Sequence, residues 1–185
     1  MQGVATADAA ILDAAERCVE RYGLRRVSMA DVAAEAGLSR RTIYNRFGDR
    51  ATLVDAVLER AADRFVAASV PAVDGRRTLA GQVGEAAVYI HVHADTADSE
   101  GLLATVLAAS APILVERWVE FWQPRLAAAE LRGELRPGLD HRRAGEWIVR
   151  LLLSFALMPS AAVVLDDHDD IRSFIRDHLV RGLGG

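Results

Sequence analysis

The chain has 185 residues, room for one large domain or a small one joined to a larger, and 51% of them are apolar, which excludes a disordered polypeptide. A formal net charge of −4 gives no overall attraction to nucleic acid, so any such role must rest on local charge, and the one cysteine, Cys18, excludes an internal disulfide. No basic-then-apolar leader is read, and the apolar stretch 148–158 is broken by Arg150 and too short for a bilayer, so a cytoplasmic protein without a membrane partner is expected.

Alanine is abundant, glycine and proline are sparse and β-branched runs are short, so helix is expected throughout. The first helix is predicted from about Asp8 to Tyr22, with Ile11, Ala15, Cys18, Val19 and Tyr22 on one stripe and Gly23 ending it. Ser28 then caps a short second helix, with Asp31 in the capping-box position and Met29, Val32, Ala33 and Ala36 turned inward. Gly37-Leu38-Ser39 forms a tight turn in which Ser39 caps the next helix. That third helix is predicted over Arg40 to Phe47. Its spacing sends Leu38, Ile43 and Phe47 inward and leaves Arg40, Arg41, Thr42, Tyr44, Asn45 and Arg46 outside. Gly48 and Asp49 break and cap again before a fourth helix to about Ser69. Val70–Arg76, with Pro71 and Gly75, reads as a linker. Beyond it five helices are expected, near 77–96, 99–109, 111–131, 140–158 and 169–182, about nine in all. Nothing alternates with period two for long enough to make a sheet.

All 22 basic residues are arginine, and four of them (Arg40, Arg41, Arg46, Arg50) fall within Ser39–Arg50 against one acid, Asp49. A generic helical hairpin has no need of a second helix with six polar or basic side chains outward. A helix lying in the major groove does: arginines bond guanine edges bidentately, Asn45 suits adenine, and hydroxyls such as those of Ser39 and Thr42 suit phosphate. Free N–H groups at the starts of the helices near Ser28 and Asp49–Arg50 offer phosphate further donors.

The run from Ile11 to Leu58, with its SMADVAAEAG, GLSRRTIYNRF and FGDRATL segments, resembles the DNA-binding domain of the TetR family of repressors. The resemblance implies an all-α protein: a three-helix helix-turn-helix domain over 5–65, then a larger helical effector-binding and dimerisation domain over 66–185. By that likeness Ser28 is a phosphate-binding cap, Thr42 and Tyr44 are recognition-helix contacts, and Arg50 stands where a phosphate-touching lysine is usual. Arg41, Arg46 and Val19 depart from the family's commoner residues; the first two add charge at the DNA surface and the third alters only packing.

The resemblance also implies a homodimer on operator DNA. The apolar faces of the last two helices, Trp147, Ile148, Leu151, Leu152 and Phe155, then Ile171, Phe174, Ile175 and Leu179, are the candidate interface. Alternatively these faces close one subunit's own core. A small apolar or aromatic effector is expected among Phe65, Tyr89, His93, Leu103 and Leu107 together with Trp118, Phe121, Trp122 and Phe155.

No cofactor, metal or catalytic site is expected. His91 and His93 are two apart and point to opposite sides of a helix, so they cannot share a metal, and 166–170 reads as an acidic cap of the last helix. The expected function is a ligand-released repressor. The other readings are a helical small-molecule carrier with an incidental hairpin, or an activator of the same build.

Overall fold

A computed structural model of the chain describes the backbone of residues 2–96 and 102–184, with side chains described for 7–93, 115–179 and 182–184. Among the described residues the architecture is all-helical, with no strand. The order is α1 (Gln2–Tyr22), α2 (Met29–Ala36), α3 (Arg40–Phe47), α4 (Arg50–Asp74), α5 (Leu79–Thr96), α6 (Leu102–Leu131), α7 (His141–Leu157) and α8 (His168–Leu183). No helix among them is long and apolar enough to cross a membrane.

Among the described residues eight helices replace the expected nine, because the stretch expected as two helices around Ala111-Pro112 is one helix, α6. A proline removes one backbone N–H, and in a helix of 30 residues that single lost bond does not outweigh continuation. The expected linker after Ser69 is also helix: α4 runs through Pro71 to Asp74. Val73, fully buried, supplies the reason, since its burial anchors the turn beyond the proline. The first helix starts earlier than read, at Gln2.

The chain divides into two compact units, Met1–Asp63 and Arg64–Gly185. In the first, α1 packs on α2 and α2 on α3, around Ile11, Val32, Ile43 and Leu53. Cys18 lies in this core, and burial, with the Glu35 carboxylate as a lesser cause, pushes its thiol up. Tyr22 and Leu38, expected inward, are exposed, and Ala14 is buried in the stripe instead. Arg60 of α4 reaches back to α1, with Nη2 at 2.8 Å from both Asp13 and Glu16. Glu35 of α2 accepts from Arg17 Nε at 2.7 Å and from Arg21 Nη1 at 3.2 Å.

In the second unit α5 packs against α7 and α8, and α6 against α7. Asp140 caps α7, accepting from the Arg142 and Arg143 N–H groups. Asp167 does the same for α8 through Asp169 and Asp170. The core corrects the expected interface: Ile148, Leu152, Phe155, Ile171, Ile175 and Leu179 are buried within this one chain. Their spacing marks the inner faces of α7 and α8, and the two helices use those faces to close their own bundle. Trp147 remains exposed, and Leu151 and Phe174 are half-buried.

Candidate functional site

Gly37 and two serines set the ends of α2 and the start of α3. Gly37 at φ 66°, ψ 27° ends α2 in the left-handed conformation and donates back to the Ala33 and Ala34 carbonyls. Ser39 starts α3: its Oγ accepts from the Thr42 N–H at 3.1 Å and shares a 2.8 Å hydrogen bond with the Thr42 hydroxyl. Thr42 Oγ1 is therefore held by the cap. Upstream, Ser28 and Asp31 form the expected capping box, with Ser28 Oγ accepting from the Asp31 N–H and the Asp31 carboxylate accepting from the Ser28 N–H at 3.1 Å. Downstream, Asp49 Oδ1 accepts from the Thr52 N–H at 2.8 Å; that backbone bond first, and the Thr52 hydroxyl second, hold its carboxyl below the ordinary range.

Only Ile43 of α3 is buried, with Phe47 half-buried behind it. Arg40, Arg41, Tyr44, Asn45 and Arg46 are exposed and Thr42 is half-buried, so the structure brings these side chains together on one short helix.

Two of the arginines are engaged elsewhere. Arg46 Nη1 lies 3.3 Å from Asp8 Oδ1 on α1. Arg50, expected at phosphate, turns back into the segment between α1 and α2: Nε donates to the Val27 carbonyl at 2.6 Å, and Nη2 to the Leu24 and Arg25 carbonyls at 2.6 and 3.1 Å. The physical reason is local, since carbonyls just past a helix end lack partners and a guanidinium satisfies several at once. Neither Asp8 nor the carbonyls of 24–27 stood out in the sequence.

A separate apolar cavity lies within the second unit. Of the candidate effector contacts, Phe65, Trp118, Phe121 and Trp122 line it, with Val66, Ser69, Ala86, Ile90, Val149 and Leu152 completing the wall. The free space is about 30 Å³, the share of liquid one water occupies. Ser69 Oγ donates to the Val66 carbonyl at 2.7 Å, while the buried Trp118 Nε1 finds no acceptor among the described residues. Arg125 covers Phe121 from outside, its Cζ 3.6 Å from the ring centroid.

Three other expected lining residues, Tyr89, His93 and Phe155, lie outside the wall. Tyr89 and His93 stack on one another with centroids 3.9 Å apart, and Tyr89 meets Phe65 edge-on at 5.2 Å. Neither lines the cavity, because that stack belongs to the outer side of α5. Phe155 packs on Phe174 at 6.0 Å and is likewise not in the wall. Leu103 and Leu107 fall outside the described side chains. Ser69 was legible, since it lies one helical turn beyond Phe65 on the same face; nothing in the pattern marked Val66, Ala86 or Val149.

Residues 11–57 match the family model for bacterial regulatory proteins of the tetR family. An HTH-type transcriptional regulator of Mycobacterium tuberculosis is 32% identical over 165 residues, 83% of this chain and 81% of its own. The regulator AlkX of the same species is 29% identical over 181 residues, covering 86% of this chain and 77% of its own. The crystal structure of the TetR-family repressor AlkX from Dietzia sp., implicated in biodegradation of n-alkanes, overlays at a TM-score of 0.63 and 23% identity, covering 94% of this chain and 93% of that one.

Proposed function

Because the chain belongs to the TetR family of bacterial transcriptional regulators, we propose that it is a repressor that binds a palindromic operator as a homodimer and is released by a small apolar effector. One observation carries the reading: Arg40, Arg41, Tyr44 and Asn45 stand exposed on a short helix whose two ends are held by their own caps. Such a helix, anchored on its inner side by Ile43 and capped at both ends, presents base-reading side chains to the major groove. In this reading 5–65 is the DNA-reading domain and 66–185 the effector and dimerisation domain. Ser28, Ser39 and Thr42 offer contacts to phosphate.

The cavity supports an effector that is mostly hydrocarbon, since no charged residue among the described ones lines it. The n-alkane connection of the Dietzia repressor points the same way. At about 30 Å³ the cavity must enlarge to admit such a molecule, so the ligand selects a conformation other than this one, and a shift in population is how it would act on DNA affinity.

For the dimer, Trp147 and Met158 are exposed, and Leu151 of α7 and Phe174 of α8 are half-buried. The spacing of 147, 151 and 154 puts them on one stripe of α7, and Met158 follows at its C-terminal end. This stripe, rather than the buried face, is the surface we assign to the partner subunit.

Fluorescence anisotropy against DNA from upstream of the chain's own gene tests the reading, with scrambled DNA and an Arg40→Ala/Tyr44→Ala variant as controls. Tight, salt-sensitive binding that the variant loses is the expected outcome. Binding no stronger than to scrambled DNA, repeated after random-site selection, would overturn it in favour of the carrier reading.

A further inference from the structure

The start of α5 and the facing side of α8 enclose a cleft of about 240 Å³ within the second unit, roughly eight times the volume one liquid water takes up. It is distinct from the apolar cavity and shares no lining residue with it. Arg76, Arg77, Arg172 and Arg176 form its walls, and Glu85 is the one carboxylate among the lining residues.

Both Glu85 oxygens are already engaged. Oε1 accepts from Arg76 Nε and Arg172 Nε, each at 2.8 Å, and Oε2 accepts from Arg172 Nη2 at 3.3 Å. Arg172 also meets the exposed Asp169 at 2.8 Å. Glu85 is buried, which alone would raise its carboxyl, but the Arg172 and Arg76 guanidinia outweigh burial and hold it below the ordinary range. It thus aligns two guanidinia as a fixed platform. Arg77 and Arg176 stand exposed beside them with no carboxylate partner among the described residues.

The wall facing these arginines is bared by Ala80, Gly81 and Gly84. Glycine inside a helix is destabilising, so its presence calls for a reason. At Gly84 a Cβ would sit 3.6 Å from Arg172 Cα, ordinary contact, so α8 packing does not demand glycine there. At Gly81 it would come within 3.1 Å of Thr78 Oγ1 and 3.2 Å of Arg76 Cβ, crowding the wall of the cleft.

We propose that this cleft binds a small phosphorylated anion, gripped by the Arg77 and Arg176 guanidinia over the Arg76–Glu85–Arg172 platform. Guanidinium forks match pairs of phosphoryl oxygens, and an excess of four arginines over one lining carboxylate suits a multiply charged phosphoryl group better than a single carboxylate. The site stands whether or not an effector enters the apolar cavity.

Isothermal titration of the full chain with inorganic pyrophosphate at constant ionic strength tests this. Two variants separate the cleft from the exposed arginines of α3. Arg77→Ala/Arg176→Ala is expected to weaken binding by about tenfold or more, and Arg40→Ala/Arg41→Ala to leave it within about twofold. Ala80→Glu, which places a negative charge in the cleft wall, is expected to match the first variant. Pyrophosphate binding that survives Arg77→Ala/Arg176→Ala, or that is lost with Arg40→Ala/Arg41→Ala, would overturn the site. No binding at millimolar pyrophosphate would also overturn it, and equal binding of citrate would overturn the phosphoryl assignment.

Discussion

Arg46 of α3 and Asp8 of α1 are joined across the DNA-reading unit, guanidinium to carboxylate at 3.3 Å. The pair is half in solvent, with Arg46 at 32% and Asp8 at 40% exposure, so it is weak and screened by salt. It nevertheless engages one cation of the reading helix with a carboxylate of α1. Asp8→Asn should therefore tighten operator binding by about three- to tenfold at low salt and steepen its salt dependence by about one counterion. An unchanged slope in the titration would show that Arg46 takes no part at the DNA.

Arg50 makes the opposite case, a basic residue whose three carbonyl bonds brace the turn between α1 and α2. A lysine has no fork to span Val27 and Leu24 together. Arg50→Lys should lower the stability of the first unit by about 1–2 kcal/mol, the modest value reflecting solvent exposure of the group. Urea denaturation of both forms measures this; equal midpoints would return Arg50 to the phosphate role.

Leu152 is 3% exposed and lines the apolar cavity. Leu152→Ala should cost about 2–5 kcal/mol while enlarging a space that is otherwise too small for a ligand. Benzene should then raise the melting temperature of the variant by several degrees more than that of the natural chain. If benzene moves neither, the wall has collapsed and the cavity is not an expandable site.

Glu85 sets a pH dependence. Its folded-state carboxyl lies below the ordinary glutamate value, so its contribution is complete above that ordinary value and is lost as the pH falls through the lower one. Glu85→Gln should reduce stability at pH 7 by about 2 kcal/mol and flatten its decline as the pH falls below the ordinary glutamate value. Parallel declines for the two proteins would assign acid unfolding to other carboxylates.

The elements of the reading unit were legible because their signals are local. Ser28 with Asp31, Gly37, Ser39 and Asp49 each act within three or four residues, and the structure puts every one at a helix end. Further along, the deciding contacts are distant in sequence. Pro71 looks like a boundary until Val73 is known to be buried, and inner and outer faces of α7 look alike until α5 and α6 occupy one of them. Trp147 and Ile148 are neighbours in an apolar run, yet one is 39% exposed and the other fully buried. For the arginines, composition shows charge but not its destination: Arg40 and Arg41 stand exposed, whereas Arg50 returns to the main chain.

Cys18, the only sulfhydryl in the chain, is 1% exposed in the core of the first unit. A thiol reagent attacks the thiolate, and burial both hides this group and disfavours ionisation. Its labelling rate is thus a clock that ticks only when the reading unit opens, blind to events in the other unit, where there is no thiol to label. Operator DNA, by holding that unit closed, should slow the clock in proportion to occupancy and so yield an affinity without any attached dye.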